Sequence, residues 1–133
     1  MTELQDPIEV CRQSLADVPR VVELHPPILE RAEVLAYPDL SRVWVRIQTS
    51  PFSTSPNLDL TVLDPDGNVV SSMFVIEARE PYQSLTLHLR QPPRAQEQYR
   101  LAIELSREEE VLDTRLIDFA LVFEEPPNEH HKR

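Results

Sequence analysis

The sequence has a single cysteine, Cys11, a single glycine, Gly67, and only 13 basic residues against 23 acidic ones. One cysteine cannot close an intramolecular disulfide, so a small stapled scaffold is excluded. A formal charge of −10 leaves no basic face to neutralise phosphates, and nucleic acid is not expected as a partner. No run approaches the ~18 apolar residues of a membrane span, so no membrane partner is expected either. The start, MTELQDPIEVCRQSL, is acidic from Glu3 and lacks the basic-then-apolar order of a secretory leader. The cytoplasm is the expected compartment, although a domain cut from a longer secreted protein would read the same. With 133 residues, 41% of them hydrophobic, the chain can bury a core without metal or disulfide. One acidic globular domain is expected.

What stands in place of glycine is proline, 13 of them from Pro7 to Pro127. The segments between are mostly too short for helices and long enough for strands, with turn signals every ~8–12 residues as in a sandwich or barrel. Within them the apolar period is two. Val43, Val45 and Ile47 alternate with Arg42, Trp44, Arg46 and Gln48; Leu58, Leu60 and Val62 with Asp59 and Thr61. Leu85, Leu87 and Leu89 alternate with Ser84, Thr86, His88 and Arg90, and Tyr99, Leu101, Ile103 and Leu105 with Arg100, Glu104 and Ser106. Val69–Ile76 and Leu116–Phe123 are apolar on both sides, which predicts strands covered on two faces or an interface. Further strands are expected at Arg20–His25 and, more weakly, at Glu30–Tyr37, where Glu30-Arg31-Ala32-Glu33 would also suit a helical turn. No helical pattern separates these runs. The fold class expected is therefore all-β, an antiparallel β-sandwich of immunoglobulin-like architecture with about eight strands.

One helix is expected, at the N-terminus. Asp6-Pro7-Ile8-Glu9 combines an N-cap acid, proline at the first helical position and a glutamate three residues after the cap, and Ile8, Cys11, Leu15 and Val18 form an apolar stripe that ends before Pro19. The domain division is then helix and linker over 1–19, sandwich over 20–125 and polar tail over 126–133.

The sharpest local motif is Leu58-Asp59-Leu60-Thr61-Val62-Leu63-Asp64-Pro65-Asp66-Gly67-Asn68-Val69-Val70. It reads as a hairpin: Pro65 sets φ, Asp64 bonds the backbone that follows, and Gly67 takes the positive φ of a bulged turn. This stretch resembles the hairpins of immunoglobulin-like and related bacterial sandwich modules, and what the resemblance implies is architecture alone. Calcium on Asp59, Asp64, Asp66 and Asn68 is the competing reading. In an EF-hand register with Gly67 at the glycine position, Val62 and Met73 would occupy the first and last ligand places, so the spacing is wrong.

No catalytic constellation is visible. His25 and His88 are the histidines within the expected fold, Cys11 sits on an apolar stripe where it would be packed and protonated, and no nucleophile elbow, phosphate loop or zinc-binding helix motif occurs. No enzyme activity, cofactor or metal is expected. Arg107-Glu108-Glu109-Glu110 reads as a solvated loop between the last two strands. Trp44 invites a functional reading because alternation puts it on the polar side between Arg42 and Arg46, and tryptophan and arginine are enriched at binding hot spots. The alternative is that Trp44 belongs to a second small core under the N-terminal helix. The candidate interface is Arg42, Trp44 and Arg46, together with Phe119 and Phe123 on the doubly apolar last strand. The function expected is a non-catalytic protein-interaction or scaffolding module that binds a protein partner or itself, most simply as a homodimer; the second class is a small-ligand or carbohydrate-binding sandwich using the Trp44 face.

Because Asp64–Asn68 reads as a turn, thermal melts with calcium and with chelator are expected to coincide. A rise of several degrees with calcium would show that the carboxylates converge on an ion held only by the folded state.

Overall fold

A computed structural model describes residues 23–125, and among them the period-two alternation becomes seven strands with no helix. These are β1 (Leu29–Ala36), β2 (Arg42–Thr49), β3 (Asn57–Leu63), β4 (Val69–Val75), β5 (Tyr82–His88), β6 (Gln98–Arg107) and β7 (Glu110–Ala120). All pairings are antiparallel, in a three-stranded sheet of order β1-β2-β5 and a four-stranded sheet of order β4-β3-β6-β7. The inward residues of the two sheets make one core: Val43, Val45, Ile47 and Leu87 from the first, and Leu58, Leu60, Val62, Leu101, Ile103 and Leu105 from the second. Each such side chain contributes ~1.5–3 kcal/mol relative to leaving it in water.

The β-sandwich is as expected, with differences in detail. Seven strands are present among the described residues against about eight expected. Of Arg20–His25, residues 23–25 are irregular backbone, and the rest of that stretch and the expected helix over 7–17 lie outside the described residues. Over residues 23–25, Glu23 is drawn sideways to Arg107, 84 residues away, and His25 is followed by Pro26-Pro27, which have no N–H for a ladder. Glu30–Tyr37 forms a strand, with a register shift between Leu29 and Arg31. Val69–Ile76 is not covered on two faces, because no described element packs on the outer side of the four-stranded sheet: at its β4 edge, Phe74 and Ile76 are 54% and 70% exposed. Leu116 on β7, the opposite edge, is 63% exposed. No helix among the described residues is long and apolar enough to cross a membrane.

The Asp64–Asn68 hairpin forms as the motif implies. The Gly67 N–H donates to the Asp64 carbonyl at 2.9 Å, and the Asp64 carboxylate accepts the N–H groups of Asp66 and Asn68, each at 2.9 Å. The Asn68 N–H is the main cause of the lowered Asp64 pKa. Gly67 has φ +88. The acidic run is a tighter turn than the solvated loop expected: Arg107 pairs with Glu110, leaving Glu108 and Glu109 as a two-residue turn with φ of 55 and 67. That is the conformation in which hairpins ordinarily place Asn-Gly.

Side chains close the open flank. The Leu29 N–H donates to Asp113 Oδ2 at 2.8 Å and Arg115 donates to the Leu29 carbonyl at 2.7 Å, so two β7 side chains satisfy the start of β1 across the gap between the sheets. Glu23 receives both arms of the Arg107 guanidinium at 3.0 Å, and Arg107 also donates to the Thr54 carbonyl. Chiefly through the Arg107 hydrogen bonds, the Glu23 carboxyl is lowered from 4.5 to about 2.

Two outcomes follow from this geometry. Space around a Cβ at Gly67 is open, so Gly67→Ala is expected to cost only the backbone term, ~1–2 kcal/mol, and Glu109→Gly to stabilise by relieving a comparable strain, both read from urea midpoints. For Glu23 the folded pKa lies below the unfolded one, so its contribution is complete above about 4.5 and disappears as pH falls toward about 2. Glu23→Gln should lower the melting temperature at neutral pH, with the gap to wild type closing as pH falls through that window. A gap unchanged over that window would overturn the assignment.

Candidate functional site

With Val43, Val45, Ile47 and Thr49 committed to the core, the pleat sends Arg42, Trp44, Arg46 and Gln48 to the outer face of the three-stranded sheet. Cross-strand register then sets their neighbours. Leu35, Trp44 and Thr86 share one row, Glu33, Arg46 and Ser84 the next, and Arg31, Gln48 and Tyr82 the third; Arg42 lies opposite His88, beyond the Trp44 row. Trp44 is half-exposed on this face.

Hydroxyl groups of β5 hold the face together. Trp44 Nε1 donates to Ser84 Oγ at 2.6 Å, Arg46 Nε donates to the Tyr82 hydroxyl at 3.1 Å, and the Tyr37 and Thr86 hydroxyls are bonded at 2.9 Å. The guanidinium of Arg46 lies 4.9 Å from the centre of the Trp44 ring, and that of Arg42 lies 4.2 Å from the Tyr37 ring, both in cation–π range. Glu33 at 3.6 Å is the acid beside Arg46, and Asp39 at 3.5 Å the acid beside Arg42. The Tyr82 hydroxyl is the main cause of the raised Arg46 pKa, and the Ser41 N–H of the lowered Asp39 pKa. Rings and cations are thus held in place by contacts within the chain itself.

Phe123 joins this face from the other end of the chain. After β7, Leu121 is fully buried and exchanges backbone hydrogen bonds with Gln96 and Glu97, which carries the chain past the end of β1. Phe123 and Trp44 then line one apolar groove of about 130 Å³ with Leu35, Ala36, Tyr37 and Pro38. Phe119 goes elsewhere: it packs against the core, its ring stacked 5.9 Å from that of buried Tyr99. Of the five candidate residues, four are brought together and Phe119 is drawn inward. Tyr37, Tyr82, Ser84 and Thr86 were not singled out from the sequence; the polar side of β5 was legible, but its pairing with β2 was not.

Groups suited to other chemistry do not converge. No set of three His, Cys, Asp or Glu residues that could hold a metal ion occurs among the described residues. His25 Nδ1 bonds the carbonyl of Pro26 at 2.8 Å, whereas His88 lies on the outer face of edge strand β5. Hollows of about 350 and 450 Å³ flank the Asp64–Asn68 turn, but Arg94 there is paired with Asp66 and Glu97, and Arg100 with Asp118.

No protein-family model matches the sequence, and no curated protein matches it. Solved structures share its fold. A β-glucuronidase from Ruminococcus gnavus, in complex with C6-substituted uronic isofagomine, has a TM-score of 0.52 at 14% identity over 71% of this chain and 16% of that one. A glycosyl hydrolase family 2 member from Bacteroides cellulosilyticus has a TM-score of 0.55 at 15% identity over 73% of this chain and 15% of that one. At such identity the likeness shows a β-sandwich. The chain spans about a sixth of the length of those proteins.

Proposed function

We propose that the protein is a non-catalytic interaction module of immunoglobulin-like architecture, acting in the cytoplasm, whose recognition face is the outer surface of β1-β2-β5. The observation that carries this reading is Trp44 with Arg46 stacked over it, pinned by Ser84 and Tyr82 and flanked by Tyr37 and Phe123. Tryptophan, tyrosine and arginine dominate protein-binding hot spots, and side chains locked beforehand lose less entropy on binding. A carbohydrate site is less well supported. Arg46 occupies one face of the indole, its N–H is taken by Ser84, and the adjoining groove of about 130 Å³ is below the ~300 Å³ at which small-molecule pockets begin. The partner is another protein or a second copy of the chain. What supports the non-catalytic part is the placement of His25, bonded to the Pro26 carbonyl, and His88, opposite Arg42 on β5, on separate segments away from the Asp59–Glu104 pair.

Immobilised protein is expected to retain a partner from an extract of its native host, and Trp44→Ala to lose it while Asp118→Asn, on the opposite sheet, keeps it. Equal recovery with Trp44→Ala would overturn the proposal, provided circular dichroism shows the variant folded.

A further inference from the structure

The outer face of the four-stranded sheet carries apolar side chains that no described element covers. Ile76, Phe74, Val111 and Leu116 are 70%, 54%, 53% and 63% exposed. Val111 is paired with Ser106 at one end of the sheet, and Ile76 follows the last residue of β4 at the same end. The next two rows inward are Phe74-Asp59-Glu104-Thr114 and Ser72-Thr61-Ala102-Leu116, and a trough of about 280 Å³ lies between them. Asp59 and Glu104 are directly opposite each other, an arrangement that costs stability when both are charged, and neither has an ion-pair partner among the described residues.

The chain outside the described residues joins the sandwich at that end. Glu23 is fixed there by Arg107, the last residue of β6, and by the Ser53 N–H, which donates to it at 3.0 Å. Residues 1–22 therefore leave from beside Ile76 and Val111. The Trp44 groove is at the other end, with Pro38 before the start of β2 and Phe123 beyond the end of β7. Within 1–22, Ile8, Cys11, Leu15 and Val18 recur at spacings of three and four, and Arg12 falls four residues after Ile8 and three before Leu15. The five steps from Val18 to Glu23 span at most ~17 Å, and the exposed rows from Ser106 to Ala102 extend ~13 Å. At helical rise the ten steps from Ile8 to Val18 measure ~15 Å, against ~14 Å across four strands. We propose that residues 8–18 of the chain itself cover this face, with the stripe of Ile8, Cys11, Leu15 and Val18 on Phe74, Ile76 and Leu116, and Arg12 against the Asp59–Glu104 pair. The four-stranded sheet is then closed on its outer side and the Trp44 face stays open, whether or not that face is a recognition surface.

Cys11, the only cysteine, reports on this directly. A thiol held under a docked segment reacts only when the segment opens, so the measurement is the rate at which the reduced full chain reacts with an aromatic disulfide reagent. Leu15→Ser on the segment and Leu116→Ser on the sheet should each speed the reaction at least ~10-fold, the size expected for one lost leucine contact, and Trp44→Ala should leave it unchanged. Leu116 is 63% exposed, so its replacement spares the core, and circular dichroism checks that each variant is folded. A rate that Leu116→Ser leaves unchanged would overturn the proposal. So would a faster reaction in Trp44→Ala, which would put the segment on the other sheet, or a wild-type rate that falls as protein concentration rises, which would put it on a second copy.

Discussion

The pleat of a β-strand sends consecutive side chains to opposite faces, and everything else in this molecule depends on that constraint. Burying Val43, Val45 and Ile47 against Leu58, Leu60, Leu101 and Ile103 makes the core, and it simultaneously obliges Arg42, Trp44 and Arg46 to stand together on the outside. The same step on β3 and β6 turns Asp59 and Glu104 outward side by side. A slip of one residue in any of these registers would exchange core for surface, so the two outer faces are as firmly specified as the core that produces them.

A sandwich with a single glycine must turn by other means. Positive φ is carried by Leu40, Glu77, Gln96, Glu108 and Glu109 as well as by Gly67. Such backbone costs a non-glycine residue ~1–2 kcal/mol and persists because the ladders on either side leave no alternative. The β6-β7 ladder, ten paired residues on each strand, holds the Glu108-Glu109 turn. Edges are managed by side chains as well as by pairing: Asp113 and Arg115 bond both backbone groups of Leu29, and the fork between Arg107 and Glu23 ties the segment before β1 to the end of β6 and to Thr54.

Charge is unevenly spread over this framework. The −10 total describes the molecule at a distance, where it opposes random association. At contact range Arg42 and Arg46 are braced against Tyr37 and Trp44 with Asp39 and Glu33 beside them, whereas Asp59 and Glu104 on the other sheet stand opposite each other with no ion-pair partner among the described residues. A single formal charge therefore says little about the local balance of charge on either face.

Five strands at sites near those observed, the second half of β7 within the expected Leu116–Phe123, the Asp64–Asn68 hairpin and the outward side of Trp44 were legible in the sequence, because each depends on residues within one strand or one turn. A seventh, Glu30–Tyr37, was legible only as one of two local options, and tertiary pairing with β2 decided it. What lay beyond the sequence was every relation between distant segments. The pairing of β2 with β5 sets Trp44 beside Ser84 and Arg46 beside Tyr82, across 40 and 36 residues. Phe119 and Phe123 belong to one apolar run, yet one is packed against Tyr99 and the other lines the groove at Trp44. Periodicity states which side of its own strand a residue takes. Which strands become neighbours, and where a chain goes once its strand has ended, is decided by the packing of two sheets over one core, and no local pattern contains that information.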